Sequence, residues 1–239
     1  LTGAGGGASP ERRQRLLQLA SAAVFLAIVG VAVLIVVNGN SSSGGNAEDI
    51  RSVGEVDRAL AGIPQHGLAL GNPKAKVTLV EFGDLQCPVC KAFSEQIVPQ
   101  VIDSKVRSGM ARIEFRNYTI ISEESVPAGA AAIAAGEQGR GWNFIELFYR
   151  NQGTERSGYV TDEFLTAIAK KAGVKDIDRW NRDRNDRGTL EQVGATTREA
   201  ESLGFTGTPS FAVQSGSGGL KPIGTPGSAG ELEEAVAGG

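Results

Sequence analysis

The stretch VTLVEFGDLQCPVC, Val77 to Cys90, decides the fold. Its first six residues, Val77–Phe82, form a compact β-rich apolar run of the kind buried at the centre of a sheet. Gly83–Gln86 breaks that strand, and Cys87-Pro88-Val89-Cys90 opens a helix expected to reach about Ser108. Proline is tolerated at a helix start because its missing N–H is not needed there. Pro99 falls inside the same helix and is expected to kink it. Ala111–Tyr118 then reads as a second strand, with Ile113 and Phe115 alternating against Arg112, Glu114 and Arg116. Strand, helix, strand makes a βαβ unit with a right-handed crossover.

Cys87 and Cys90 are the only two cysteines of the 239-residue chain. A disulfide-stapled small fold needs more of them at longer spacings. A four-ligand zinc site would need two further ligands, and His66, expected at the surface or in a turn, is the single histidine. No metal and no cofactor are therefore expected. A Cys-x-x-Cys at a helix start puts the first sulfur where free amides and the helix dipole favour negative charge. The second cysteine lies one turn on, close enough to attack a mixed disulfide. An inert local disulfide or half of a metal site would share the spacing, but the position directly after a buried strand points to redox chemistry.

Downstream, from Glu123 to about Leu203, the pattern is helical throughout: Ala128–Gln138, Trp142–Asn151, Asp162–Ala172, Asp176–Arg182 and Leu190–Leu203. Thr161 is a suitable cap for the third of these. Trp142, Phe144, Leu147 and Phe148 sit at helical spacing and read as core. The sign-alternating run Arg182–Arg187 reads as a solvated turn. Strands resume at Ser210–Gln214 and Leu220–Ile223, and a last helix spans Ala229–Ala237.

Upstream, Glu48–Ala61 has Ile50, Val53, Val56 and Leu60 at helical spacing, and a turn-rich stretch through Pro64, Gly67, Gly71 and Pro73 leads to the first strand. Leu16–Val37 is almost wholly apolar. As a helix it spans roughly 33 Å, enough for a hydrocarbon core of about 30 Å. Arginines 12, 13 and 15 precede it, which places residues 1–15 in the cytoplasm and the remainder outside. A cleaved signal peptide is the alternative, but the run is longer than the usual apolar core of one. Residues 38–62 are then a tether with a short helix. A net charge of -3 offers no field for nucleic acid.

The segment Val77–Cys90, the helical insertion at about 123–203 and Thr208-Pro209 before a strand together resemble the DsbA-like branch of the thioredoxin superfamily, over about residues 63–239. The resemblance implies an α/β thioredoxin fold with an all-helical insertion, here preceded by one transmembrane helix. It implies that Cys87 is the nucleophile and Cys90 the resolving cysteine, and that Pro209 follows a cis peptide bond and faces the pair. Thr208 would offer its backbone to an extended substrate, beside Pro88 and Val89. Glu81 matches a buried acid that relays protons to Cys90. The best-known oxidases of the family carry histidine where this chain has Val89. Valine stabilises the Cys87 thiolate less, so the disulfide is expected to be less oxidising.

The function expected is therefore a membrane-anchored, extracytoplasmic thiol–disulfide oxidoreductase that forms disulfides in cysteine-containing exported proteins. It would be reoxidised by a membrane redox partner and held to the lipid bilayer by residues 16–37. An isomerase or reductase using the same pair is the nearest rival. A non-catalytic tethered binding or chaperone module is the rival of another class.

Overall fold

The computed structural model describes residues 50–239. The expected tail 1–15, the membrane-spanning stretch 16–37 and the tether up to residue 49 lie outside the described residues. Among the described residues no helix is long and apolar enough to cross a membrane.

The sheet has six strands in the order β1-β2-β4-β3-β5-β6. They are β1 (Gln65–His66), β2 (Ala69–Leu70), β3 (Val77–Gly83), β4 (Ala111–Asn117), β5 (Ser210–Ser215) and β6 (Lys221–Gly224). β3 runs parallel to β4 and antiparallel to β5. A central strand with elements on both faces must be apolar on both sides. From Thr78 onward β3 is buried at every residue, whereas β4 alternates between buried and half-buried as its sequence does.

The nine helices among the described residues are α1 (Val53–Leu60), α2 (Pro88–Gln96), α3 (Val98–Val101), α4 (Ser125–Gly136), α5 (Gly141–Arg150), α6 (Asp162–Lys171), α7 (Ile177–Arg184), α8 (Arg187–Ser202) and α9 (Ala229–Ala237). Helices α4 to α8 are the insertion. Its interior is aromatic: Phe144, Phe148, Tyr159, Phe164 and Trp180 pack ring to ring, and the Trp180 indole N–H donates to the Ala131 carbonyl at 2.9 Å. Thr161 caps α6 as expected, its side chain accepting from the Phe164 N–H at 3.2 Å.

Several expectations are corrected. The helix after Cys90 is not one kinked rod. It ends at Gln96, turns at Ile97 (φ -108°), restarts as α3 and continues as a π-helical turn, Ile102–Val106. Pro99 thus sits in a first turn, where its missing N–H leaves no bond unmade. The turn-rich stretch before β3 contains the β1–β2 hairpin at the sheet edge, and His66, on β1, is exposed as expected. Two-residue strands carry no periodicity to read. Arg184 is not solvated. Helix α7 runs through it, so Arg184 lies one turn after Trp180, stacks over the indole at 5.0 Å and donates to Asp162 Oδ1 at 2.8 Å. The amphipathic helix expected over Glu48–Ala61 is present as α1, and Ile50, Val56 and Leu60 are buried in the main apolar cluster.

Candidate active site

Cys87 is the N-cap of α2, with extended backbone (φ -72°, ψ 120°) and Pro88 at the first helical position. Its Sγ accepts from the Cys90 N–H at 3.5 Å, and its S–H donates to the Thr208 carbonyl at 3.4 Å. Both cysteines are unbridged. Cys87 is 4% exposed and Cys90 wholly buried, while Pro88 and Val89 between them are exposed, Val89 to 50%. The surface presented beside the pair is therefore that of Pro88 and Val89.

The two thiols are driven apart electrostatically. The Cys87 pKa is lowered from 9.0 to about 6, chiefly by a hydrogen bond from the Cys90 side chain. The Thr208 side chain and the Cys90 and Val89 amides add to this, and burial opposes it. The Thr208 carbonyl, which accepts from the protonated thiol, works against the thiolate as well. Burial pushes the Cys90 thiol well above its ordinary value, and the neighbouring Cys87 and Glu81 push the same way. One cysteine is thus an anion at neutral pH and the other a proton-holding neutral group.

Thr208 and Pro209 reach the site from the loop after α8, and the peptide bond between them is cis. Pro209 is buried and Thr208 half-buried. Glu81, on β3, is 2% exposed, and its Oε1 has no hydrogen-bond partner. Burial raises its pKa to about 8, with Glu146 and Cys87 contributing in the same direction. All seven residues singled out in the sequence therefore lie on or directly around the Cys87–Cys90 turn.

Sequence reasoning missed the residues that hold this turn in place. Asp84 accepts from Gln86 N–H and, through Oδ2, from the N–H groups of Ile120 and Ile121, each at 2.9 Å. Gln86 is buried, donating to Ser122 Oγ at 2.6 Å and accepting from Arg156 N–H at 3.0 Å. Gln152 donates to the carbonyls of Leu85 (2.7 Å) and Cys87 (3.2 Å). Lys91 donates to the Tyr149 carbonyl at 2.7 Å and pairs with Glu95. The one available signal was Asp84-Leu85-Gln86, polar groups flanking a leucine in a break too short to be a solvated loop. Their partners lie up to 70 positions away, and no local pattern points to them.

A family model described as thioredoxin matches residues 65–217. The chain is 28% identical over 148 residues to a protein called "Probable disulfide bond formation protein D" from Bacillus cereus, across 61% of this chain and 68% of that one. A solved thioredoxin-like oxidoreductase from Silicibacter pomeroyi superposes with a TM-score of 0.58 at 29% identity, covering 78% of this chain and 95% of that one. The oxidised form of BdbD from Bacillus subtilis gives a TM-score of 0.63 over 74% of this chain and 96% of its own. At 22% identity that last likeness is one of fold.

Proposed function

Because the chain belongs to the thioredoxin family and is a DsbA-like protein thiol–disulfide oxidoreductase, we propose that it forms disulfides in exported proteins through Cys87 and Cys90. The observation that carries this reading is the asymmetry of the pair: an amide-supported, low-pKa sulfur at the helix start, and a buried, high-pKa sulfur one turn on.

In the oxidised enzyme a substrate thiolate attacks Cys87 Sγ. The Cys87–Cys90 bond breaks, and Cys90 leaves with the electron pair as a thiolate that its burial strongly disfavours. The neutral Glu81 carboxyl, behind Cys90, gives it a proton. A second substrate thiolate then attacks the substrate sulfur of the mixed disulfide. The substrate disulfide forms, and Cys87 departs as its stabilised thiolate. Two electrons now rest on the dithiol, and a membrane redox partner removes them to restore the disulfide. Substrates would lie over Val89 and pair with the Thr208 backbone, in the manner of an added strand.

The apolar run Leu16–Val37 behind three arginines supports a single-pass anchor with the catalytic domain outside the membrane. Val89 supports the second reading, isomerase or reductase. An exposed apolar side chain beside Cys87 adds no charge to stabilise the thiolate, so the couple is less oxidising than one with histidine there.

The test is trapping. Cys90→Ser should accumulate mixed disulfides between Cys87 and exported proteins, visible on non-reducing gels, and Cys87→Ser should accumulate none. Equal adduct yields from the two variants would sink the division of labour.

A further inference from the structure

Glu81 has company behind the dithiol. In the sheet register it stands directly opposite Phe115 on β4 and Phe211 on β5, and residues directly opposite share a face. Phe211 packs on Phe93 of α2 at 5.8 Å, and Phe115 meets the edge of Tyr149 of α5 at 6.5 Å. Helices α2 and α5 therefore roof the face from which the Glu81 carboxyl projects. Glu146 enters this roof from α5, one turn before Tyr149, and is buried. Its Oε1 accepts from Ser94 Oγ at 2.9 Å, and its Oε2 pairs with Arg150. Ser94 is itself one turn beyond Cys90 on α2, so Cys90, Ser94 and Glu146 form one continuous layer.

Two carboxylates in a low-dielectric layer repel too strongly for both to ionise, and the better-solvated one takes the charge. Both Glu146 oxygens have donors, one of them cationic. Glu81 Oε1 has none. We propose that Glu146 is a positioning residue for the thiol–disulfide chemistry: Arg150 and Ser94 fix a negative charge on it, and that charge keeps the exchangeable proton on Glu81 beside Cys90. The helical insertion then supplies part of the reaction's acid–base apparatus as well as a wall for the groove.

The other charged and titratable groups facing this layer are few. Cys87, at the start of α2, raises both Glu81 and Cys90, and Glu81 raises Cys90 in turn, while the Cys90 thiol lowers Cys87. Tyr149 on α5 is held protonated by burial, and its hydroxyl donates to the Asp84 carbonyl at 3.3 Å. Burial is the largest influence on the Glu146 carboxyl and leaves it above its ordinary value, with Glu95 on α2 pushing the same way, while Arg150 and Ser94 oppose them. For Glu81 itself burial is the first cause of the shift and Glu146 the second.

This inference rests on Glu81 being the proton donor to Cys90, and it is tested on ionisation rather than turnover. The protonated-carboxyl band of the reduced full chain is followed by infrared difference spectroscopy across pH, with Glu81→Gln identifying the signal. Glu146→Gln should move the Glu81 midpoint down from about 8, and a shift of one unit cuts the protonated fraction at pH 8 about fivefold, from about a half to about a tenth. Glu146→Asp, which keeps the charge, should hold the midpoint. Where Glu146→Gln fails to fold, Ser94→Ala replaces it, because Glu146 then loses a donor and takes up a proton more readily, again lowering the Glu81 midpoint. An unmoved midpoint in the folded variant, or a Glu81 already ionised at neutral pH in the unaltered chain, overturns the inference. Mixed-disulfide trapping by Cys90→Ser depends on neither result, so the Cys87–Cys90 assignment stands or falls separately.

Discussion

Removing the Cys90 side chain should raise the Cys87 pKa, and the size of the rise follows from the hydrogen bonds at the helix start. The descent from 9.0 to about 6 favours the thiolate by about 4 kcal/mol. The largest part comes from the Cys90 thiol, a single hydrogen bond to an ion, of a kind that contributes about 1.5–3 kcal/mol. Its loss in Cys90→Ala should lift the midpoint by about one to two units, to about 7–8, because the Val89 and Cys90 amides remain. At pH 6 the thiolate fraction would fall from about a half to roughly a tenth or less. Cys90→Ser retains a donor and should stay closer to the parent. The assay is the pH dependence of the alkylation rate of Cys87, checked by thiolate absorbance. A midpoint unchanged in Cys90→Ala would refute the reasoning and assign the poise to the helix amides alone. A second readout follows by linkage. A thiol whose folded pKa lies below its unfolded one stabilises the reduced fold fully above the unfolded value, and that stabilisation is lost as pH falls through the folded value. The melting temperature of the reduced chain, relative to the oxidised one, should therefore rise between about pH 6 and 9.

Val89→His should lower the Cys87 pKa further and shift the couple in the oxidising direction, measured against a glutathione buffer; the site is half exposed, so the ring fits without repacking. Glu81→Gln should slow the step in which Cys90 departs, and the rate should lose its fall-off near pH 8, since the titrating group is gone. Gly83→Ala should destabilise the fold by roughly 1–3 kcal/mol in denaturant melts, because its Cβ would stand 2.5 Å from the Phe115 ring in a filled layer.

The sequence by itself determined the elements whose signal is local. An apolar run flanked by turn residues fixed β3, and Cys-Pro-x-Cys after it fixed the start of α2, because strand burial and helix-start chemistry are written within a few positions. The aromatic spacing of Trp142 to Phe148 and the Thr161 cap were legible for the same reason. Where local rules compete, the tertiary structure decided. Pro99 could kink a helix or begin one, and packing of Val98 and Val101 into the core selected the break at Ile97. Arg184 lies in a charged run that reads as solvated, yet the indole of Trp180 and the carboxylate of Asp162 bury it. The site divides along the same line. Cys87, Cys90 and Glu81 lie within ten positions of sequence, the pair legible from its spacing at a helix start and Glu81 from the family resemblance. Asp84, Gln86, Gln152 and Glu146 act through partners some 30 to 70 positions distant. A hydrogen bond across such a separation exists only once the chain after β4, insertion included, has folded back over the helix start, and nothing in the local pattern encodes it.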